Sequence, residues 1–288
     1  MINTQAEVRE ALDALALPVV DLAGSLELRI ANIRVNLAWG WPRKIPLPQP
    51  DRPGAIAVVG YGPSLLDTLD ELREFRYIMT TSGAHKILLS KYITPTFHHD
   101  IETRPHKASM LGTPHPNIEY ILTSTASPLL YDHLRGYKVS QVHVCHPPWL
   151  EVAKELPRGE TVIRTCGGVG ANAIALARYL GFTDIHTFGL DGSFPAKRSS
   201  HAGPHPYTVD DLARECTYEG RTFLTAPGFL YQTRGILLLR DTLTDAKITF
   251  HGDGLLQHMA PTYPTRIMEP PGVFYKHAPD FDDPDPIP

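Results

Sequence analysis

The chain of 288 residues carries a formal net charge of −4 and has a sequence pI near 6.4. This acidic balance argues against a broad basic surface, so we do not expect nucleic acid as a partner. No apolar run reaches membrane-spanning length, the first residues lack a basic-then-apolar signal, and the three cysteines show no CxxC spacing. We therefore expect a cytoplasmic protein with no membrane partner.

The first fifty residues predict a helical arm in front of a core domain. Residues 4–16 read as an amphipathic helix capped by Thr4, and a second helical stretch runs from about residue 22 to 37. The proline-rich segment 41–54 cannot hold a helix or a central strand and is typical of a linker. We divide the chain into an N-terminal helical arm (1–50), a Rossmann-like nucleotide-binding transferase domain (51–260) and a poorly ordered proline-rich tail (261–288).

The stretch 55–75 predicts a strand, a glycine turn and a helix in that order. The apolar run 55–59 is typical of a buried parallel strand, GYGPS follows at 60–64, and leucines at 65, 66, 69 and 72 indicate one face of a helix. In such a unit the turn N–H groups and the helix dipole face a common point, which suits an anion. The stretch matches neither the dinucleotide fingerprint nor the Walker A loop, and a plain tight turn is the alternative.

Downstream, apolar segments alternate with helical ones. Strands are predicted in 76–82, 93–105, 117–125, 138–146, 161–165 and 184–191, with an alanine-rich helix over 171–180. A hairpin around residues 219–221, a helix over 229–243 and a last strand in 247–255 follow. This alternation predicts an α/β fold, a doubly wound and mostly parallel sheet, in which ligands collect at the carboxyl ends of the strands.

Polar side chains follow several of these predicted strands. The groups that we expect at one rim are Ser64; His98, His99 and Asp100; Ser124, Thr125 and Ser127; Asp191, His201 and His205; and, from the end of the domain, His251 and Asp253. Glycines at 167, 168 and 170 stand at the start of a second helix and predict a second anion-binding site. Each group also has an ordinary structural interpretation, as a helix cap, a surface histidine or a tight-packing glycine.

The acids of this set suit a divalent cation. Asp100, Asp191 and Asp253 would suit Mg²⁺ bridging phosphates, whereas the histidines would suit zinc or manganese. No close spacing such as HExxH supports zinc. Lys197, Arg198 and Arg164 near the rim would serve any phosphate ligand.

Four segments form a combination that is more specific than any one of them. They are GYGPSL at 60–65, PTFHHDIE at 95–102, GGVGANAIALARYLGFTDIHTFGLDGSF at 167–194 and His201-Ala202. Together they resemble the MptE-like 6-hydroxymethylpterin diphosphokinase domain, whose core the motility accessory factor glycosyltransferases share. Bacterial sialyltransferases show a similar loop and helix, although they have Asn where this chain has Tyr61. The resemblance covers about residues 55–255.

The resemblance implies a Rossmann-like fold that binds a nucleotide donor and transfers part of it. In the diphosphokinase branch the donor is ATP with Mg²⁺ and the acceptor is a pterin alcohol, whereas in the glycosyltransferase branch the donor is a nucleotide sugar. The positions that carry over are Gly60, Gly62, Pro63 and Ser64 at the nucleotide phosphates, the strand-end acids Asp100 and Asp191, and His201.

We therefore expect a transferase that moves a phosphoryl or diphosphoryl group from ATP to a small hydroxyl-bearing acceptor. His201 or His99 is the predicted base, Asp191 is a further catalytic group, and Asp100 with Asp191 would hold Mg²⁺. Ser124, Gly167, Gly168 and Gly170 complete the predicted nucleotide-binding set. The alternatives are a glycosyltransferase on the same fold and a non-catalytic nucleotide-binding protein, and each of them is compatible with a homo-oligomer.

Overall fold

The computed structural model describes residues 24–41, 49–145, 147–157, 160–165, 168–196, 199–205, 212–263 and 274–275. The predicted helix over 4–16, most of the proline-rich linker and most of the tail lie outside these residues. So do Cys166, Gly167, Lys197 and Arg198.

The strands follow the predicted alternation closely. In chain order they are β1 Ile56–Val59, β2 Tyr77–Thr81, β3 Phe97–Asp100, β4 Glu119–Thr123, β5 Lys138–Cys145, β6 Val162–Arg164, β7 Asp184–Phe188, β8 Arg214–Tyr218, β9 Arg221–Thr225, β10 Lys247–Phe250 and β11 Phe274–Tyr275. The predicted hairpin around residues 219–221 is confirmed, because β8 and β9 pair antiparallel across Glu219 and Gly220.

Among the described residues, nine strands form one sheet in the order β10-β7-β1-β2-β3-β4-β5-β6-β11. All neighbours are parallel except β6 and β11. From β1 the chain adds strands in one direction as far as β6 and then returns to place β7 on the other side of β1. The sheet is thus doubly wound, as predicted, and the strand order reverses between β1 and β7.

The described α-helices are more numerous than the sequence indicates. In chain order they are α1 Leu26–Ala38, α2 Leu69–Leu72, α3 Ala84–Ser90, α4 Lys107–Leu111, α5 Pro128–His133, α6 Gly168–Tyr179, α7 Pro227–Thr242 and α8 Leu255–Met259. Two 3-10 helices, Pro63–Asp67 and Pro147–Glu155, accompany them. None of the described helices is long and apolar enough to cross a membrane.

The alanine-rich helix α6 lies across one face of the sheet. Its alanines are fully buried, and it packs on β1, β2, β3, β6 and β7. Small side chains allow the helix backbone to approach the sheet closely. The first turn of α6 consequently stands above the carboxyl ends of the central strands.

The prediction of one continuous helix after the glycine turn is wrong. The chain forms the 3-10 helix Pro63–Asp67 and then the one-turn α2, with a break at Thr68. The hydroxyl of Thr68 donates to the carbonyl oxygens of Ser64 and Leu65 and so competes with helical hydrogen bonding there. Leu66, expected on the buried face, is exposed.

Candidate active site

A cavity of about 410 Å³ opens at the carboxyl ends of β1, β2, β3 and β7. Residues that follow β1 and residues that follow β7 form one side of it, so the cavity lies where the strand order reverses. Open α/β sheets bind their ligands in this place. The far wall comes from α7 through Gly228, Phe229, Gln232, Thr233 and Ile236.

Gly60 and Gly62 allow the turn after β1 to approach the loop after β7 closely. A Cβ atom on Gly62 would lie 2.5 Å from Asp191 Oδ2, and one on Gly60 would lie 2.5 Å from the carbonyl oxygen of Gly189. The N–H groups of Gly60 and Gly62 donate to the carbonyl oxygens of Phe188 and Gly189. The expectation that these two N–H groups face an anion is therefore wrong, although both glycines line the cavity.

Ser64, which is half-buried, and the buried Asp191 form a hydrogen-bonded pair at this turn. The backbone N–H of Ser64 donates to Asp191 Oδ2 at 2.9 Å, and the Ser64 hydroxyl donates to Asp191 Oδ1. Burial raises the pKa of the Asp191 carboxyl, and the hydrogen bonds from Ser64 partly offset this. Asp191 lines the cavity, whereas Pro63 does not line it and borders a second hollow together with His201.

Asp100 ends β3 at the cavity and is surrounded by donors. Its Oδ1 accepts from the Glu102 N–H at 3.0 Å, and its Oδ2 lies 3.5 Å from Lys107 Nζ and 3.7 Å from His98 Nε2. Burial by itself would raise the pKa of Asp100. The charge of Lys107, with the His98 and Glu102 hydrogen bonds, outweighs burial and holds the pKa of this carboxyl well below its usual range.

His98 and His99 point to opposite faces of the sheet, as alternation along a strand requires, and both are fully buried. His98 Nδ1 bonds Thr80 Oγ1, and His99 Nδ1 donates to the carbonyl oxygen of Ile121 at 2.8 Å. Burial lowers the pKa of His99 to about 4. Neither ring lines the cavity, so His99 has no direct access to a ligand there.

His201 does line the cavity. Its ring stacks on His205 with the centroids 4.1 Å apart, and Tyr61 and Phe229 pack against it. Burial lowers the pKa of His201 to about 3, with smaller contributions from His205 and from the charge of Lys107. At neutral pH the ring is thus uncharged, and its Nδ1 lies within hydrogen-bond distance of the Ser200 hydroxyl, at 3.0 Å.

The first residues of α6 complete the cavity. Gly168 and Val169 line it, and Gly168 has φ +81°, a conformation that favours glycine. Gly170 does not line it but lets Leu190 approach, since a Cβ atom there would lie 2.8 Å from Leu190 Cδ2. The N-terminus of a helix of twelve residues carries unpaired N–H groups and the positive end of a dipole.

Ser124 is a further predicted site residue that does not line the cavity. Its hydroxyl bonds His143 Nδ1 at 3.0 Å, and its carbonyl oxygen accepts from the side chain of Asn36 in α1. His251 and Asp253 are likewise engaged elsewhere: His251 bonds His186 and Glu71, and Asp253 pairs with Arg221. These contacts join the outer elements of the fold to one another.

The predicted Mg²⁺ ligands do not form a ready-made cluster. No group of three or more His, Cys, Asp or Glu side chains that could hold a metal ion occurs in the part of the chain that the structure describes. Both oxygens of Asp191 accept from Ser64, and Lys107 faces one oxygen of Asp100. A cation bound by both acids would have to displace these donors, and a Mg²⁺ role stays a prediction.

Sequence reasoning missed the groups that follow β3. Glu102, Arg104 and Lys107 all line the cavity, and Arg104 forms a bidentate ion pair with Glu102 at 2.8 Å. The available signal was the basic segment RPHK, directly after a predicted strand end. The basic residues considered instead cannot be placed: Lys197, Arg198 and the side chain of Arg164 lie outside what the structure describes.

Comparison with known proteins identifies related sequences and folds. The family model described as 6-hydroxymethylpterin diphosphokinase MptE-like matches residues 45–197, which is more than half of the chain. No curated protein matches the sequence.

Among solved structures, the fold is similar to the MAf glycosyltransferase from Magnetospirillum magneticum AMB-1. The TM-score is 0.55 at 16% identity, over 86% of this chain and 39% of that one. The chain therefore spans well under half the length of that protein. Two structures of a mammalian sialyltransferase, one of them with bound Gal-beta-1-3GalNAc-ortho-nitrophenol, match with TM-scores of 0.36 and 0.37 at 10% identity. Each match covers 85% of this chain and 86% of the other.

Proposed function

Because this chain belongs to the family of MptE-like 6-hydroxymethylpterin diphosphokinases, we propose that it is a nucleotide-dependent transferase of the diphosphokinase type. It would move a phosphoryl or diphosphoryl group from ATP to the hydroxyl of a small acceptor. The observation that carries the proposal is the cavity at the point where the strand order reverses between β1 and β7.

The first turn of α6 is the proposed binding site for the donor phosphates. In the other predicted anion-binding site, the turn after β1, the N–H groups of Gly60, Gly62 and Ser64 already donate to protein acceptors. Developing negative charge on the transferred group is stabilised by such fixed dipoles at no cost of reorganisation during the reaction. Asp191, which also lines the cavity, bonds Ser64 and so holds the turn after β1 in place.

His201 is the proposed base. In a diphosphoryl transfer the acceptor oxygen forms a bond to the β-phosphorus, the bond from that phosphorus to the α-phosphate bridging oxygen breaks, and AMP leaves. The proton of the acceptor hydroxyl passes to the neutral imidazole. A pKa of about 3 makes a weak base, and the negative charge of a bound donor would favour the protonated ring and so raise this pKa.

A nucleotide sugar is the second candidate donor. The observation that favours it is the pairing of Asp100 and Asp191 with protein donors, because Mg²⁺ in ATP sites is commonly held by one or two carboxylates together with the phosphates. In this case the acceptor hydroxyl attacks the anomeric carbon, the bond from that carbon to the phosphate oxygen breaks, and the nucleotide leaves. The proposed base and the proposed phosphate-binding site are the same as for the ATP reaction.

Thermal unfolding with a panel of ligands tests the proposal. ATP, CMP, UDP-sugars and CMP-sugars are each added with and without Mg²⁺, and a ligand at 100 times its Kd should add about 2.7 kcal/mol of stability. A Val169→Phe variant, which fills the cavity, should lose the shift. Leu129→Phe, on an exposed position of α5, should keep it. A wild-type protein that responds to no nucleotide would contradict the proposal.

Product analysis then separates the reactions. With 6-hydroxymethylpterin as the first acceptor, AMP is expected for diphosphoryl transfer and ADP for phosphoryl transfer. Release of a nucleotide from a nucleotide sugar, with none from ATP, would select the second candidate. We expect His201→Ala to lower the rate of any of these reactions and to leave nucleotide binding measurable.

A further inference from the structure

A buried lysine stands at the cavity, and no motif of the sequence gives it a role. Lys107, the first residue of α4, is only 6% exposed, yet it lines the cavity together with Ser82 and Asp100. Its Nζ donates to Ser82 Oγ at 2.9 Å and lies 3.5 Å from Asp100 Oδ2. Lysine is rarely buried to this extent without a charged partner, and here Asp100 is that partner.

The ammonium group has donors to spare. It carries three N–H bonds, and among the described residues it makes one hydrogen bond within ordinary distance, to Ser82. The contact with Asp100 at 3.5 Å is an ion pair that is longer than a good hydrogen bond. The charge is thus held at the cavity wall while N–H groups stay available to an oxygen that enters the cavity.

The residue that receives the lysine hydrogen bond has an unusual backbone. Ser82 has φ 51°, in the left-handed region that side chains other than glycine seldom adopt. The loop cannot relax easily, because Gly83 lies so close to Tyr61 that a Cβ atom would be 2.4 Å from its ring. Strain of this kind is typical of positions where a functional group must be held in one place.

Asp100 holds the lysine from the other side and is itself fixed. The Glu102 N–H binds its Oδ1, and His98 faces its Oδ2 from within the sheet. Lys107 forms an ion pair with Asp100, and Ser64 donates to both oxygens of Asp191. The two acids therefore have protein partners where a divalent cation would bind.

We propose that Lys107, positioned by Asp100 and Ser82, is the cation that binds the diphosphate of the donor, and that binding therefore needs no divalent cation. This inference rests on the proposed function, because it names the part of the nucleotide donor that the cavity recognises. Lys107 neutralises phosphate charge as a point charge, in the manner of other phosphate-binding lysines.

Titration calorimetry with ADP, AMP, CDP, CMP and inorganic pyrophosphate tests it, with excess EDTA or with excess MgCl2. For wild-type protein we expect the Kd values for the diphosphates to differ by less than about threefold between the two conditions. Lys107→Met should weaken diphosphate binding in EDTA by about tenfold or more. The variant should then bind ADP no more tightly than AMP. A general loss of structure would instead weaken AMP equally.

The control variants separate the lysine contact from folding. Lys107→Met leaves the Asp100 carboxylate buried without its cation, which is destabilising, so Asp100→Asn/Lys107→Met removes both charges and should show the same loss of diphosphate binding. Lys91→Met makes the same charge change at an exposed position after α3 and should bind like wild type. Ser82→Ala, which keeps the cation but not its hydroxyl partner, should have an intermediate effect.

The outcomes distinguish this inference from the proposed function. Diphosphate binding that requires Mg²⁺, or that survives in both lysine variants, would overturn the inference and leave the nucleotide donor standing. Pyrophosphate binding that depends on Lys107, without any nucleotide binding, would support the inference and contradict the proposed function. Absence of binding by every probe in EDTA would overturn the inference.

Discussion

The hydrogen-bonded pair of Ser64 and Asp191 ties the turn after β1 to the loop after β7. Two donors from one residue meet both oxygens of a carboxylate that is 4% exposed. A buried carboxylate needs such donors, because water cannot replace them at that depth. Ser64 was expected at the nucleotide phosphates and Asp191 at a metal ion, and the structure shows that each has the other as a partner.

Replacement of Ser64 by alanine tests the strength of this pair. The variant removes one of the two hydrogen bonds and leaves a buried carboxylate oxygen without a donor, which should cost about 1–3 kcal/mol of unfolding free energy. Urea unfolding of Ser64→Ala and Ser90→Ala gives the comparison, since the Ser90 hydroxyl bonds only an exposed carbonyl group at the end of α3. Equal stability of the two variants would show that the Asp191 pair contributes little.

Among the elements, α1 is attached to the sheet by two asparagine side chains. Asn32 Nδ2 donates to the carbonyl oxygens of Thr103 and Thr125, and Asn36 Nδ2 donates to those of Ser124 and Ala126. Both asparagines are buried. They satisfy carbonyl groups in the chain that follows β3 and β4, so α1 takes part in shaping the strand ends behind the cavity.

Asn36→Ala should therefore destabilise the protein by about 1–3 kcal/mol, because it leaves two buried carbonyl groups unpaired. Arg34→Ala on the same helix is the matched control. It breaks an ion pair with Glu155 whose arginine side chain is 67% exposed, and a surface pair of this kind contributes at most about 1 kcal/mol. A larger loss for Arg34→Ala than for Asn36→Ala, measured by urea unfolding, would contradict this account of how α1 is held.

Sequence patterns predicted the elements that depend on local periodicity. The apolar runs of the parallel strands, the alanine-rich α6 and the hairpin of β8 and β9 are all confirmed. The break at Thr68 was missed because the leucine spacing of the segment is helical, whereas the hydroxyl contacts that interrupt it depend on conformation. The use of the Gly60 and Gly62 N–H groups was missed because their acceptors lie in β7 and just after it, more than a hundred residues away.

For the molecule as a whole, buried neutral histidines couple stability to pH. Burial lowers the pKa of His85 to about 3 and that of His99 to about 4, against about 6.5 in an unfolded chain. As the pH falls, the unfolded chain therefore binds protons first. The stabilisation is complete above about pH 6.5 and is lost progressively as the pH falls toward 4.

We expect the free energy of unfolding to fall between pH 6.5 and 4.5 by at most about 1.4 kcal/mol per pH unit for each of these histidines. His99→Asn, which can still donate to the Ile121 carbonyl, should have a slope that is smaller by one such contribution. Urea unfolding of both proteins across this range measures the slopes, and above pH 7 the two curves should run parallel. Identical slopes at acid pH would show that His99 does not carry the effect.

The walls of the cavity come from two separate tracts of the chain. The strand-end groups and the start of α6 lie within residues 45–197, which match the family model, whereas the wall from α7 and Leu256 lies beyond that match. The two tracts also meet, because Gln232 of α7 packs against Gly168 and Thr233 packs against Gly192. The family match thus covers only part of the cavity wall, and the shape of the rest of the pocket depends on residues that lie outside that match.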